Sequence, residues 1–252
     1  MTRNPIRLRA DFYDFEACEQ GCAASADSDL AEPLKLADAA AGCLAHLTWH
    51  FEVPSHTEPL PASVARKEAL LPLAALSIRT SRALILLVRN GWDAEAHGLK
   101  RRLTECRLRA QHVEDDASGE AARQWLGGRG KKADALAARY DARDPWAIFS
   151  SGSHADVRSL RLTMAPPPWI DIGVADRAVL LTPHRDREHA HGLLLDTAFD
   201  AVALMEHLTV VFEHSFVLDN ELGRRLVAAR GAFEDQSAVL SAARNPRGSA
   251  LD

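Results

Sequence analysis

Residues 79–113 read RTSRALILLVRNGWDAEAHGLKRRLTECRLRAQHV. Apolar residues recur every three to four positions on both sides of Asn90-Gly91, the spacing of two amphipathic helices. Asparagine and glycine both tolerate the left-handed backbone that ends a helix, so the break falls between them. Plotted at 100° per residue, Leu99, Leu103, Cys106, Ala110 and Val113 share one face of the second helix. Arg101, Glu105 and His112 fall on its flank, Arg109 lies between flank and stripe, and Glu95 and Arg102 sit at the edge. Charges beside a buried stripe are the pattern of an inner helix that lines a cleft.

Working outward, the composition agrees with a helical chain. Alanine and leucine dominate the 252 residues, aromatic residues are only 6%, and β-branched residues are sparse, a balance that favours helix over sheet. Hydrophobic residues make up 47%, enough for a substantial core. The reading is a mainly α, multi-helix bundle-like single domain over 33–244. An N-terminal arm precedes it at 1–32, a flexible tail follows at 245–252, and a small β-like hairpin or extended insertion interrupts it at 157–181. Strand content is expected below roughly 10%, against the usual 20–25%.

Helices are expected from Glu32-Pro33 to about Phe51, with Leu36, Ala40, Cys43, Leu44 and Leu47 buried. The next is expected from a Ser63 cap to Arg89, with Leu70, Leu73, Leu76, Leu84, Leu87 and Val88 buried. Pro72 either bends that helix or marks its start. Short helices are expected at 118–126 and 131–143. A long one starts at Thr182-Pro183 and runs to about Phe216, and a last one covers 219–244. The arm holds at most a short helical piece at 12–22.

The strings NGWDAEAHGLKRRLTECRLRAQHV and YDARDPWAIFSSGSHADVRSL together resemble the uncharacterised helical family DUF5677. Its pattern is a small residue and an Glu-Ala pair, an Arg four residues before a Glu, and a later Ser-x-x-His beside a short helix. Here these are Glu95 and Ala96, Arg101 and Glu105, then Ser151 and His154. The resemblance covers roughly residues 65–215 and departs after the histidine, where Ala155 stands in place of a common proline. It implies no assigned activity, but its general look is similar to HEPN-type helical domains, many of which are ribonucleases or nucleotide-binding modules. A homodimer is expected on the same analogy.

The candidate site is therefore Arg101, Glu105, Ser151 and His154, with Glu95 and Arg102 as secondary candidates. Glu105 would orient the His154 imidazole and raise its basicity, and Arg101 would hold an anionic group bidentately. Read structurally instead, an Arg101–Glu105 pair at i,i+4 is a brace. A second candidate is Arg185-x5-His191, similar to the Arg and His of HEPN ribonucleases. Histidine would act as acid or base and arginine would stabilise a pentacovalent phosphate. The bland alternative is a charged helix N-terminus, where such spacings arise by chance.

Metal readings are weaker. Cys18-x3-Cys22 and His46-x3-His50 offer four zinc-type ligands, but the spacing is not that of the usual knuckles. Glu188-x2-His191 supplies half of a di-iron bundle motif with no second half. No metal and no cofactor are expected. Gly127-Gly128-Arg129-Gly130 lacks the lysine-serine ending and the preceding strand of a phosphate loop. Hydrolase-elbow, zincin and dinucleotide fingerprints are absent.

Formal net charge is −5, which excludes a generic nucleic-acid-coating protein. The charge is uneven: residues 1–60 hold ten acids against four bases, and residues 100–143 hold eleven bases against seven acids. The N-terminal MTRNPIRLRADF has no signal-peptide core, and 83–88 is the longest wholly apolar run of the first long helix. A cytoplasmic protein with reduced thiols and no membrane contact is expected. Two function classes follow. One is an RNA- or nucleotide-acting protein, such as a toxin or phage-defence ribonuclease. The other is a non-catalytic module that binds an anionic small molecule or serves a structural, interaction role.

Overall fold

A computed structural model describes residues 15–49, 51, 61–143 and 186–212, with single residues between 224 and 238. Among the described residues there are seven helices and no strand, so the fold is mainly α. The helices are α1 (Phe15–Asp29), α2 (Ala31–Trp49), α3 (Ala62–Arg89), α4 (Asp93–Asp115), α5 (Glu120–Leu126), α6 (Ala133–Arg139) and α7 (Arg187–Phe212). The extended insertion expected at 157–181 and the tail at 245–252 lie outside the described residues. So does most of the last expected helix, of which only single helical residues are described.

Four helices, α2, α3, α4 and α7, pack around one core. The turn at Asn90-Gly91 makes α3 and α4 an antiparallel hairpin. Asn90 ends α3, and Gly91 takes the left-handed conformation at φ 82° that a side chain would resist. At the far end of the hairpin Arg66 of α3 donates to the carbonyls of Val113 and Glu114, at 3.1 and 2.6 Å. That satisfies two of the acceptors a helix C-terminus leaves open. Pairs Asp38–Arg82 and Asp27–Arg89 show that α3 also runs antiparallel to the helices before it.

The fourth member breaks the alternation. Contacts between α4 and α7 step forward along both helices at once: Asp93 with Asp186, His97 with His189, Thr104 with Asp200, Glu114 with His207. The two helices are therefore parallel. Parallel neighbours need a long connection, and the chain supplies one in residues 116–186, which carry α5 and α6. Side-by-side parallel helices also bring two positive dipole ends together. Asp93 in the first turn of α4 and Asp186 ahead of α7 stand there. Asp186 accepts from the N–H groups of Glu188 and His189, at 3.0 and 3.2 Å, which offsets that charge.

The apolar core follows the sequence spacing closely. Leu36, Ala40, Cys43, Leu44 and Leu47 of α2 are buried, as are Leu70, Leu73, Leu84 and Val88 of α3 and Leu103, Cys106, Ala110 and Val113 of α4. Phe51 stacks on Phe212 at 4.0 Å between centroids and closes one end. Several expectations are corrected. Within the expected arm, the helical piece read at 12–22 is part of a longer helix, Phe15–Asp29, followed by the fully buried Leu30. Leu76 points outward, and Leu99 is only half-buried. Helix α3 starts at Ala62 after Pro61 with no side-chain cap, so Ser63 does not cap it, and Pro72 lies inside an unbroken helix. By length and composition α3 could cross a membrane. Here it packs against α2, α4 and α7.

Candidate functional site

Helix α4 is buried on two faces, and they differ in kind. One is the apolar stripe read from the sequence. The other, on the flank away from Arg101 and Glu105, faces α7 and is polar: Asp93, His97, Lys100 and Thr104 are all buried. Burying such groups is tolerated only if they find partners, and each meets one on or just ahead of α7: Asp93 the Asp186 N–H, His97 the His189 ring, and Lys100 and Thr104 the Asp200 carboxylate.

Midway along the seam stands Asp200 of α7. Its carboxylate accepts from the Lys100 ammonium, from Arg107 Nε at 2.8 Å and from Thr104 Oγ1 at 3.3 Å. Lys100 also donates to the Asp196 carbonyl at 2.9 Å. The side chains of Lys100 and Asp200 are each 3% exposed. Arg107 reaches further out and lies over the Phe199 ring, 5.3 Å from its centroid. One carboxylate thus holds two cations in a desolvated place, which fixes the register of α7 against α4 and leaves a local positive excess.

Toward the start of both helices the seam ends in two histidines. The rings of His97 and His189 lie nearly parallel, with centroids 4.3 Å apart, and their Nε2 atoms are hydrogen-bonded. One Nε2 must carry the proton and the other must accept it. Burial, and secondly the neighbouring His189, push the His97 imidazole down to about 4, so it is neutral at pH 7. Asp93, one turn before His97, accepts from the Asp186 backbone N–H at 3.2 Å. The far end of the seam closes with a hydrogen bond between His207 and Glu114.

The outer flank is built differently. Glu105 is bonded by Arg109, one turn on, through both Nε at 2.9 Å and Nη2 at 2.6 Å. Arg109 continues to the Lys131 carbonyl at 3.1 Å. Glu105 therefore braces the 127–132 loop through Arg109, where the spacing had suggested Arg101 as its partner. Arg101 is half-buried, and Glu95 and Arg102 are exposed. Ser151 and His154 lie outside the described residues, as does Arg185. His191 is half-buried in the second turn of α7. Two residues on from His189, it is turned roughly 200° around the helix, away from the seam. The histidine that meets α4 is thus His189.

Further along, Tyr140 donates to Asp115 at 2.8 Å, and its hydroxyl lies 3.4 Å from His112 Nδ1. Burial, then the nearby Lys131 and Arg139, lower His112. Burial, followed by the Asp115 hydrogen bond, raises Tyr140. Burial pushes the Cys106 thiol up to about 11, which makes it an inert core residue. For the zinc reading, Cys18 and Cys22 are half-buried on α1, His46 is on α2, and His50 lies outside the described residues. Among the described residues no three His, Cys, Asp or Glu side chains converge as a metal set.

His97, Lys100, His189 and Asp200 were not singled out by sequence. A lysine or aspartate on an amphipathic helix ordinarily marks its solvated face. Only the position of α7 shows otherwise. The available signal was the run of polar residues at Asp93, His97, Lys100 and Thr104, spaced at three and four along one line of α4. Comparison with protein-family models, with curated proteins and with solved structures returns no match.

Proposed function

We propose that this chain is a HEPN-like helical protein that acts on or binds RNA or a nucleotide, with its site where α4 and α7 begin. The observation that carries the reading is the His97–His189 pair. It places a half-buried imidazole, His189, against a buried one that is neutral at pH 7, His97, and an imidazole so held can take a proton from a ribose 2′-hydroxyl or return one to a leaving oxygen. His189 is half-buried and is the ring able to meet a substrate; His97 is buried and positions it. The pair joins the first turns of α4 and α7; the HEPN-like resemblance puts its arginine and histidine at Arg185 and His191 of the same helix start, and His189 lies between them in the sequence. Arg185 would supply the charge for a phosphate. Ser151, His154, Arg101 and Glu105 form a second candidate group, from the DUF5677 resemblance. A cytoplasmic location, a homodimer and a toxin or phage-defence ribonuclease role belong to the same reading.

One observation favours the non-catalytic alternative, a module for an anionic small molecule. Two cations against one carboxylate leave the Lys100–Asp200–Arg107 network with an excess positive charge. Incubating the purified protein with labelled single-stranded RNA separates the two. Cleavage is expected, with His189→Ala reducing its rate by about 10²–10⁴-fold and Arg185→Ala reducing it as well. Absence of cleavage together with saturable nucleotide binding would select the binding module. Absence of both would contradict the proposal.

A further inference from the structure

Three of the eleven bases in residues 100–143, Arg129, Lys131 and Lys132, stand together in one loop outside the seam. The loop 127–132, GGRGKK, is held in a defined shape. Gly128 donates to the Trp125 carbonyl at 3.0 Å, Arg129 to the Gln124 carbonyl at 2.7 Å, and Arg109 clamps the Lys131 carbonyl. Gly128 is left-handed at φ 71°. At Gly130 a Cβ would stand 3.1 Å from Trp125 Cδ1 and 3.3 Å from Arg109 Nη1, so a bare backbone lets the loop lie flat on α4 and α5. Held this way, Arg129, Lys131 and Lys132 are exposed. Among the described residues the ion pairs of this region use Arg109, Arg123 and Arg139 and leave those three side chains out. Arg139 lies 5.4 Å over the Tyr140 ring and pairs with Asp115 at 4.0 Å. Lys131 and Arg139 both act electrostatically on His112 from this side.

We propose that this pinned loop, with Arg139 and the half-buried Tyr140, is a docking surface for the backbone of single-stranded RNA. Three cations on a preformed loop beside an aromatic ring match a phosphate chain with splayed bases. A duplex would need contacts spread over two grooves and some 16 base pairs, far more than one six-residue loop offers. The identity of the polyanion rests on the functional reading above; the surface itself does not.

The test is fluorescence anisotropy of a labelled single-stranded RNA of mixed sequence across a potassium chloride series. It compares the full chain with Arg129→Gln/Lys131→Gln/Lys132→Gln, and with Lys131→Arg/Lys132→Arg as the charge-keeping control. Each phosphate contact on a single strand contributes about 0.7 to the salt slope, so the triple variant should lose about 2 from it. Its affinity should fall at least tenfold at about 0.1 M salt, and the control should bind like the parent. An unchanged slope and affinity in the triple variant overturns the proposal, as does no binding by the parent at low salt. Polyglutamate competing as well as RNA would point to an acidic protein partner and also overturn it. Salt-dependent binding through the loop without cleavage would leave this surface standing while the catalytic reading fails. Cleavage untouched in KM and rate by the triple variant would do the reverse.

Discussion

The two flanks of α4 carry similar residues and do opposite things. On the outer flank Glu105 and Arg109 pair at i,i+4 in partial contact with water and pin a loop. On the inner flank Lys100 and Arg107 meet Asp200 away from water, and His97 meets His189. An exposed ion pair contributes little because water already solvates both partners. A buried network adds little as a whole but is severely disrupted when one partner is removed, because the others stay desolvated and unpaired. The position of a charge relative to its neighbour helix, more than its type, decides which it is.

The comparison breaks most readily at Asp200. Asp200→Ala leaves Lys100 and Arg107 facing each other in the seam and should lower stability by about 3–5 kcal/mol in urea denaturation. A loss below about 1 kcal/mol would mean the seam is hydrated. Leu103, buried in the apolar face of the same helix, sets the scale for ordinary packing. Leu103→Ala should lose about 2–5 kcal/mol, and a smaller effect would show that face to be wrongly assigned.

The inner flank should also respond to pH. The His97 imidazole is held at about 4 in the folded chain against 6.5 when free. Between those values the unfolded chain binds a proton that the folded one does not. Stability from this group is therefore complete above about pH 6.5 and lost as pH falls toward 4, on the order of 2–3 kcal/mol. Denaturation midpoints measured from pH 7.5 to 4 should show that fall in the parent and less of it in His97→Gln. Equal slopes in the two would place the titration elsewhere.

On the outer flank the effect shrinks. Glu105→Gln should cost under about 1 kcal/mol and mainly loosen the 127–132 loop, seen as faster amide exchange there. A large global loss would make Glu105 a core brace, and lost RNA cleavage or ligand binding with a tight loop would return it to the active group.

Most of the bundle was legible because its signals are local. Asn90-Gly91 stops a helix wherever it stands, and Leu36, Leu44, Leu70, Leu84 and Leu103 repeat at the helical period. The start of α1 was legible in the helical piece at 12–22, but its run to Asp29 was not, since its small and acidic residues carry almost no apolar stripe. It is held by buried Ala26, by Leu30 just beyond it, and by contacts of Glu19 with Trp92 and Asp27 with Arg89. The polar seam was hidden for a different reason. Its partners are about 92 to 100 residues apart, and no local pattern tells a lysine aimed at a buried aspartate from one aimed at water. Glu105 was visible, but its choice of Arg109 over Arg101 was not, because both lie one turn away.

The proposed site requires that buried His97 and half-buried His189 form one hydrogen-bonded pair, and histidine ring nitrogens can be read directly. Long-range ¹H–¹⁵N correlation spectra of the labelled protein, recorded from pH 8 to 4, should show His97 neutral throughout most of the range, titrating near 4. The His189 nitrogen shifts should move with it and should change on His97→Gln. Two histidines titrating independently near 6.5 would contradict the pairing and the site proposed on it.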